Sequence, residues 1–456
     1  MNTLAEHPTT RFQPPPDAFA PAPAEERGVA RGATRLLVAT RDGISHAHFH
    51  DLAEHLRPGD LVVVNNSAVV PAQLDARSTR HGAVVVHLAT PLDDGTWVVE
   101  VRTAPDASRA VLDGQPGDRI TAAGATFDLL EPYPHDGSSP TGHGNRLWRA
   151  HAVGDVGRTL QRYGRPIAYG YLDRPYPLTA YQTVFATRPG SAEMPSAARP
   201  FTAELVTRLV AQGVGVVPIT LHTGVSSQEA GEAPQVERFE VSDATARAVN
   251  AARAGGGRIV AVGTTVTRAL ESAVDGDRLV ARAGWTERVV TPGDPPLIVS
   301  GLISGWHDPA ASHLLLVEAV AGPRLTQAAY DAAVTGGYLW HEFGDGALSY
   351  PEPAGASGRH HTSRVSAPRR RLSKRVPASA DETPATLPCQ RPRGPSRGFV
   401  SADEFDPHSP ACSTSTRPAR PATPGRRSPR STGPRRRRGA AALGPARARG
   451  RRPRRG

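Results

Sequence analysis

Two stretches carry the residue types that could do chemistry at a ligand crevice. In the first, Ile259-Val260-Ala261-Val262 is apolar without alternation, as in a strand covered on both faces. Gly263-Thr264-Thr265 then turns the chain into a helix bearing Arg268 and Glu271. Threonine hydroxyls and the unpaired amides of a helix start can hold an anion or a ribose hydroxyl. Arg268, one turn in, can grip a carboxylate with its planar fork. The plainer reading is an ion pair with Glu271, worth little at a surface. In the second stretch, an apolar run from Val214 to Leu221 closes on His222-Thr223-Gly224. Neighbouring parallel strands end together at the carboxyl edge of an open α/β sheet, where ligands bind. His222 is therefore expected at one crevice with Thr223, Gly224, Gly263, Thr264, Thr265 and Arg268.

Other candidates lie further along. His307 follows a strand and precedes Asp308-Pro309, as a catalytic imidazole or a turn residue. Asp345, near the end of the patterned chain, is a candidate general base. Tyr181-Gln182-Thr183 offers a ring and an amide to a nucleobase; packing of Tyr181 in the core is the plainer alternative. Arg158, Arg162, Arg165 and Arg174 alternate with Tyr163, Tyr169 and Tyr171. That pattern suits RNA phosphates and unstacked bases, or else a solvated linker.

Those residues need elements to hold them. Ser242 starts a helix that runs to about Ala254 and stops at Gly255-Gly256-Gly257. Leu61-Val62-Val63-Val64 is a short buried strand ending at Asn65-Asn66-Ser67, and Ser312 to Ala321 is the last expected helix, with a Ser cap. Between residues 68 and 155 short apolar runs recur, separated by Asp93-Asp94-Gly95, Gln115-Pro116-Gly117-Asp118 and Asp136-Gly137-Ser138. Such spacing predicts an antiparallel β-barrel. The fold class is α/β: a three-layer Rossmann-like domain over 29–67 and 156–350, with the barrel inserted at 68–155. Residues 1–28 read as a loose Pro/Ala-rich arm. Residues 351–456 read as a disordered Arg/Pro-rich tail, too poor in large apolar side chains to offset ordering entropy.

The net charge of +11 over 456 residues hides two materials. From Gly355 to Gly456 there are 25 Lys+Arg against 5 Asp+Glu, net +20; the first 354 residues hold 29 against 38, net −9. The sole lysine, Lys374, and both cysteines, Cys389 and Cys412, lie in the tail. The body therefore has no phosphate-loop or Schiff-base lysine, no disulfide, no thiolate nucleophile and no cysteine metal site. No segment has the 18 consecutive apolar residues of a membrane helix, and the N-terminus lacks a secretory pattern, so a cytoplasmic protein is expected.

Nine blocks, in order over about 30–350, resemble the S-adenosylmethionine:tRNA ribosyltransferase-isomerases of the queuosine pathway. They are Gly59-Asp60-Leu61 through Asn65-Asn66-Ser67 to Leu74; Tyr181 to Ala186; Pro189-Gly190-Ser191 with Pro195-Ser196-Ala197; Phe201-Thr202; Leu221 to Gly224; Gly263 to Ser272; Ala283 to Thr286; Gly301-Leu302-Ile303 with His307; and Gly344-Asp345. The resemblance implies an α/β domain with an inserted barrel, S-adenosylmethionine as co-substrate, tRNA as partner, and no metal or prosthetic group. A monomer is expected. It implies transfer and isomerisation of the ribosyl moiety onto a 7-aminomethyl-7-deazaguanine base, forming epoxyqueuosine. On that reading His222, His307 and Asp345 are catalytic, and Thr223, Gly224, Gly263, Thr264, Thr265 and Arg268 bind S-adenosylmethionine. Asn65, Asn66, Tyr181, Gln182 and Thr183 then bind the base. The chain departs from the family where Asn66-Ser67-Ala68 stands for Asp-Thr-Arg and Pro200 for a histidine. Two alternatives follow: a catalytically impaired or repurposed relative binding S-adenosylmethionine or a nucleoside, and an RNA-binding protein acting through its basic tail. Truncation after Tyr350 is expected to leave the melting temperature nearly unchanged; a fall of several degrees would show that the tail supports the body.

Overall fold

The computed structural model describes residues 4, 6–136, 142–226, 231–309 and 311–351. The tail read as disordered lies outside the described residues, as does the Gly137-Ser138 turn.

Nine strands form the central sheet: β1 (Arg35–Thr40), β2 (Gly43–His48), β3 (Leu61–Asn65), β4 (Gly215–His222), β5 (Glu237–Val241), β6 (Ile259–Val262), β7 (Arg282–Thr286), β8 (Gly301–Ser304) and β9 (Gly346–Ser349). Their order is β7-β5-β4-β3-β6-β8-β9-β1-β2. The middle strands β4, β3, β6 and β8 are parallel, so their carboxyl ends share one edge. β9 runs antiparallel to β8, which brings the chain just before Gly346 to that same edge.

The strands carry no polar relief because both faces are covered. Leu61, Val63 and Ala261 belong to one core with Val249, Leu270 and Leu316. Val62, Val64, Val260 and Val262 belong to another with Phe201, Leu205 and Leu209. The two-residue period of a strand thus feeds two cores, and helices on each side complete three layers. The helices start where side chains can cap them: Thr202 accepts from Leu205 N and Ser242 from Thr245 N. Asp60 pins the amino ends of β3 and β6, accepting from the Arg258 amide at 3.0 Å and from its guanidinium.

Between β3 and β4 six strands close a barrel: Gln73–Ser78, Gly82–Pro91, Trp97–Thr103, Arg119–Ala122, Ala125–Pro132 and Leu147–Gly154. Leu74, Val86, Val99, Phe127 and Trp148 fill it, and the helix Val156–Tyr163 adds Val156 and Leu160 to that core.

Three expectations are corrected. The arm is not loose. Ala18, Ala20, Ala22 and Ala24 are buried, Ala20 N donates to Trp340 O, and the amides of Thr9 and Thr10 donate to Glu318. Alanine and proline offer little apolar area, so their burial left no periodic signal; what holds the arm is the buried carboxylate of Glu318. Next, Ser312 is not the cap: the helix Ser312–Ala321 has Ala311 there, with no side-chain bond. Finally, a further helix, Pro323–Thr335, follows, started by Pro323 in its first turn. Glu318→Ala removes the acceptor of four Thr9 and Thr10 bonds and is expected to destabilise the fold by about 2–4 kcal/mol. A denaturation midpoint equal to the wild type would show that the arm is not held this way.

Candidate active site

A cavity of about 180 Å³ opens at the carboxyl edge of β4, β6 and β8. Each strand end supplies part of its wall: Thr223 and Gly224 after β4, Gly263, Thr264 and Thr265 after β6, and Ser304 to His307 after β8. The segment from Glu193 to Ala197 and the pair His341-Glu342, just ahead of β9, close it. Gly263 takes φ +95°, the left-handed region, which lets β6 turn at once into the helix Thr264–Ser272. The first-turn amides of that helix have no intrahelical acceptor, and Thr265 Oγ1 is buried without a partner.

Of the residues expected at the crevice, Thr223, Gly224, Gly263, Thr264, Thr265, Arg268 and His307 line the cavity. His222 does not. It points the other way, its Nδ1 2.7 Å from Ser67 Oγ, and Ser67 Oγ lies 2.6 Å from Ser191 Oγ. The imidazole lies so close to Gly190 that a Cβ there would sit 2.5 Å from Nδ1. Side chains alternate along a strand, so His222 and Thr223 cannot both face the cavity.

Arg268 reaches the cavity wall but is no free fork. Nε donates to Arg288 O at 3.1 Å, Nη2 to Gln235 O and Thr286 O at 2.7 and 3.2 Å, and Nη1 bonds Glu237. It does not pair with Glu271, whose carboxylate instead accepts the amides of Leu297, Ile298 and Val299. The helix start aims Arg268 inward as the sequence implied, and the segments at 235–237 and 286–288 then close over it. Asp345 is likewise committed: it accepts from Arg35 N and Leu339 N at 2.9 Å and pairs with the Arg35 guanidinium. These bonds tie Asp345 to the start of β1 and to the loop before β9.

The residues assigned to a nucleobase are structural here. Asn65 bridges β3 to β4 through Leu221 N and O, and Asn66 Oδ1 accepts from Thr220 Oγ1 at 2.7 Å. Gln182 clamps both backbone groups of Val69, and Thr183 Oγ1 accepts from Phe185 N. Tyr181 packs on Phe343, with ring centroids 5.2 Å apart. Burial of its ring, the plainer reading, is what the fold adopts. Among the described residues one group could hold a metal ion, His48 with His50 and Asp51, and none of the three lines the cavity.

What the sequence did not flag is the acidity of the cavity. Glu193 and Glu342 both line it, Glu193 buried and Glu342 half-buried. Glu193 accepts from Tyr169 Oη and from Ser226 N and Oγ. Tyr171 Oη reaches Glu342 at 3.4 Å. Tyr169 stacks on Tyr171 at 6.3 Å, and Tyr171 on His341 at 5.0 Å. So two of the tyrosines read as a surface for RNA, Tyr169 and Tyr171, turn inward, Tyr163 stays exposed, and Arg165 and Arg174 pair with Asp75 and Glu26. Burial, then the charge of Glu193, pushes Glu342 up to about 8; burial also raises Glu193. Burial holds His313 down at about 4 and His307 well below its ordinary value, so both imidazoles are neutral at pH 7. His307 Nε2 lies 2.7 Å from Ser304 Oγ. A signal for Glu193 existed: it stands between the matched Gly190-Ser191 and Pro195-Ser196 blocks. Glu342 offered none.

Fold and cavity together define an α/β ligand-binding protein with its site at the edge where parallel strands end. A family model described as "Queuosine biosynthesis protein" matches residues 9–348, and the chain belongs to that family. It is 37% identical over 350 residues to the S-adenosylmethionine:tRNA ribosyltransferase-isomerase of Symbiobacterium thermophilum, covering 73% of this chain and 96% of that protein. To the protein of the same name from Thermus thermophilus it is 35% identical over 347 residues, with 73% and 96% covered. The crystal structure of S-adenosylmethionine tRNA ribosyltransferase from Thermotoga maritima is similar at TM-score 0.41 and 27% identity, over 74% of this chain and 98% of that one.

Two outcomes follow from the geometry. Arg268→Ala strands buried Glu237 and is expected to cost about 3–5 kcal/mol of stability, read as a denaturation midpoint. Loss of affinity for carboxylate-bearing ligands at unchanged stability would restore the free-fork reading. For Glu342 the folded protein keeps a proton that the unfolded chain gives up at the ordinary carboxylate value. Stability from the neutral form is therefore complete below that value and declines as pH rises towards about 8. Glu342→Gln should gain in melting temperature over the wild type steadily from pH 5 to pH 8; a constant difference would refute the shift.

Proposed function

We propose that this chain is an S-adenosylmethionine:tRNA ribosyltransferase-isomerase. It transfers the ribosyl moiety of S-adenosylmethionine to the 7-aminomethyl-7-deazaguanine base of a tRNA, isomerising it to the epoxycyclopentane of epoxyqueuosine, with adenine and methionine released. Family membership over nearly the whole length of the named relatives supports the reaction class. The observation that carries the local reading is a cavity holding helix-start hydroxyls and two acids together.

The chemistry asks for three things: a seat for the nucleoside, a base near the sugar C5′, and donors for the departing adenine. Thr264, Thr265 and Thr223 supply hydroxyls, and the amides of the Thr264–Ser272 helix start supply donors. Glu193 and Glu342, with elevated proton affinity, are the groups suited to exchange a proton near neutral pH. His307 and His313 offer neutral imidazoles that donate or accept without adding charge. His222 and Asp345 act through the scaffold. Pro200 lines a smaller hollow that shares Ser196, Ala197, Ser304, Gly305, His341 and Glu342 with the cavity. The imidazole missing at 200 is thus answered by His341, entering from another loop.

Incubation with S-adenosylmethionine and a tRNA bearing the aminomethyl base should release adenine. Glu342→Gln and Glu193→Gln should each slow release by about 10²–10⁴. Wild-type turnover in both variants would remove these residues from the chemistry; absence of adenine from the unmodified chain would remove the reaction.

A further inference from the structure

We infer that Glu193 and Glu342, beside His341 at the cavity wall, form a seat for an organic cation whose binding displaces a proton from the pair. The inference rests on the reading above, since the cations that reaction brings are a sulfonium and a primary ammonium.

The geometry argues it from what is missing around the pair. A buried carboxylate normally has a cation beside it, as Glu100 and Glu237 have here. Among the described residues neither Glu193 nor Glu342 has a salt bridge. Their partners are hydroxyls and an amide: Tyr169 and Ser226 for Glu193, Tyr171 for Glu342. One arginine lines the cavity, Arg268, and it is spent on Glu237 and three carbonyls. The other titratable groups facing the pair are His87 from the barrel, which acts on Glu193, and His341, whose Nε2 lies 3.6 Å from Asp308 Oδ2. Burial lowers the proton affinity of His341, so it brings no competing charge at pH 7. His341 also holds φ +66°, a strained conformation for a residue with a side chain, which fixes its ring against Tyr171. Two like-charged acids at one cavity wall cannot both ionise cheaply, so a proton is retained there until a cation arrives. Binding a fixed positive charge then ionises the pair, and the proton leaves to solvent. The ionised carboxylate that remains lies beside the bound cation, where a base is wanted.

The test is proton-linked binding by titration calorimetry in two buffers of different ionisation enthalpy, from pH 6 to 8. Three probes separate the sources of charge: S-adenosylmethionine, S-adenosylhomocysteine, which keeps the amino acid but lacks the sulfonium, and 7-aminomethyl-7-deazaguanine as the ammonium. If the sulfonium is seated, S-adenosylmethionine should release close to one proton below pH 8, its affinity rising about tenfold per pH unit, while S-adenosylhomocysteine shows a flat profile. If the ammonium is seated, the aminomethyl base alone shows that slope. Glu342→Gln and Glu193→Gln, checked for an intact melting transition, should each flatten the slope of the responsive probe. Equal pH dependence for S-adenosylmethionine and S-adenosylhomocysteine with none for the aminomethyl base seats the amino-acid ammonium that both carry; a flat profile for all three probes overturns the inference, as does a slope unchanged in both variants. Proton release on binding without adenine release would overturn the ribosyl-transfer reading while leaving the cation seat standing.

Discussion

The buried carboxylate of Glu100 sets the terms on which the barrel meets the rest of the body. A charge in the barrel wall costs several kcal/mol unless cations surround it. Arg102 Nη1 and Arg146 Nη1 meet one oxygen at 2.7 and 2.9 Å, and His87 Nδ1 meets the other at 3.2 Å. Despite complete burial, these cations hold Glu100 far below the usual carboxylate range. Arg146 spends its other nitrogen on Glu232 at 2.7 Å. Glu232 opens the segment whose Gln235 and Glu237 then receive Arg268. One line of charge therefore runs from the barrel wall to the helix behind the cavity, and the rim cannot move without uncovering an ion.

The same network shapes the cavity's chemistry. Tyr169 sits where barrel and cavity meet, its ring 5.3 Å from the Arg102 guanidinium and 5.9 Å from His87, its hydroxyl on Glu193. Positive charge is concentrated on Glu100, one layer away, and withheld from Glu193 and Glu342. Proton affinity in the cavity is thus a product of where the arginines are used up. This also explains why Arg268 and Asp345 fail as free site groups: both are bonded on every side before a ligand could reach them.

Among the described residues no helix is long and apolar enough to cross a membrane.

Local pattern by itself determined a good deal of this protein. Unbroken apolar runs at 61–64 and 259–262 could only be strands covered twice, Ser242 and the three glycines bounded a helix, and turn residues at regular spacing announced the barrel. The strand-end rule brought Thr223, Gly224, Gly263, Thr264 and Thr265 to one cavity, because those features depend on residues near in sequence. Tertiary structure decided the rest. Whether Arg268 is free depends on Glu237 and carbonyls 18 and 33 residues away, and Asp345 is taken by Arg35 at a separation of 310. His222 was turned from the cavity by the alternation of its own strand once Thr223 faced it. Above all, Glu193 and Glu342 lie far apart in the chain and share no motif. A shared cavity wall, with Arg268 there engaged on Glu237 and carbonyls, makes them a pair, and charge compensation in three dimensions leaves no mark on a linear pattern.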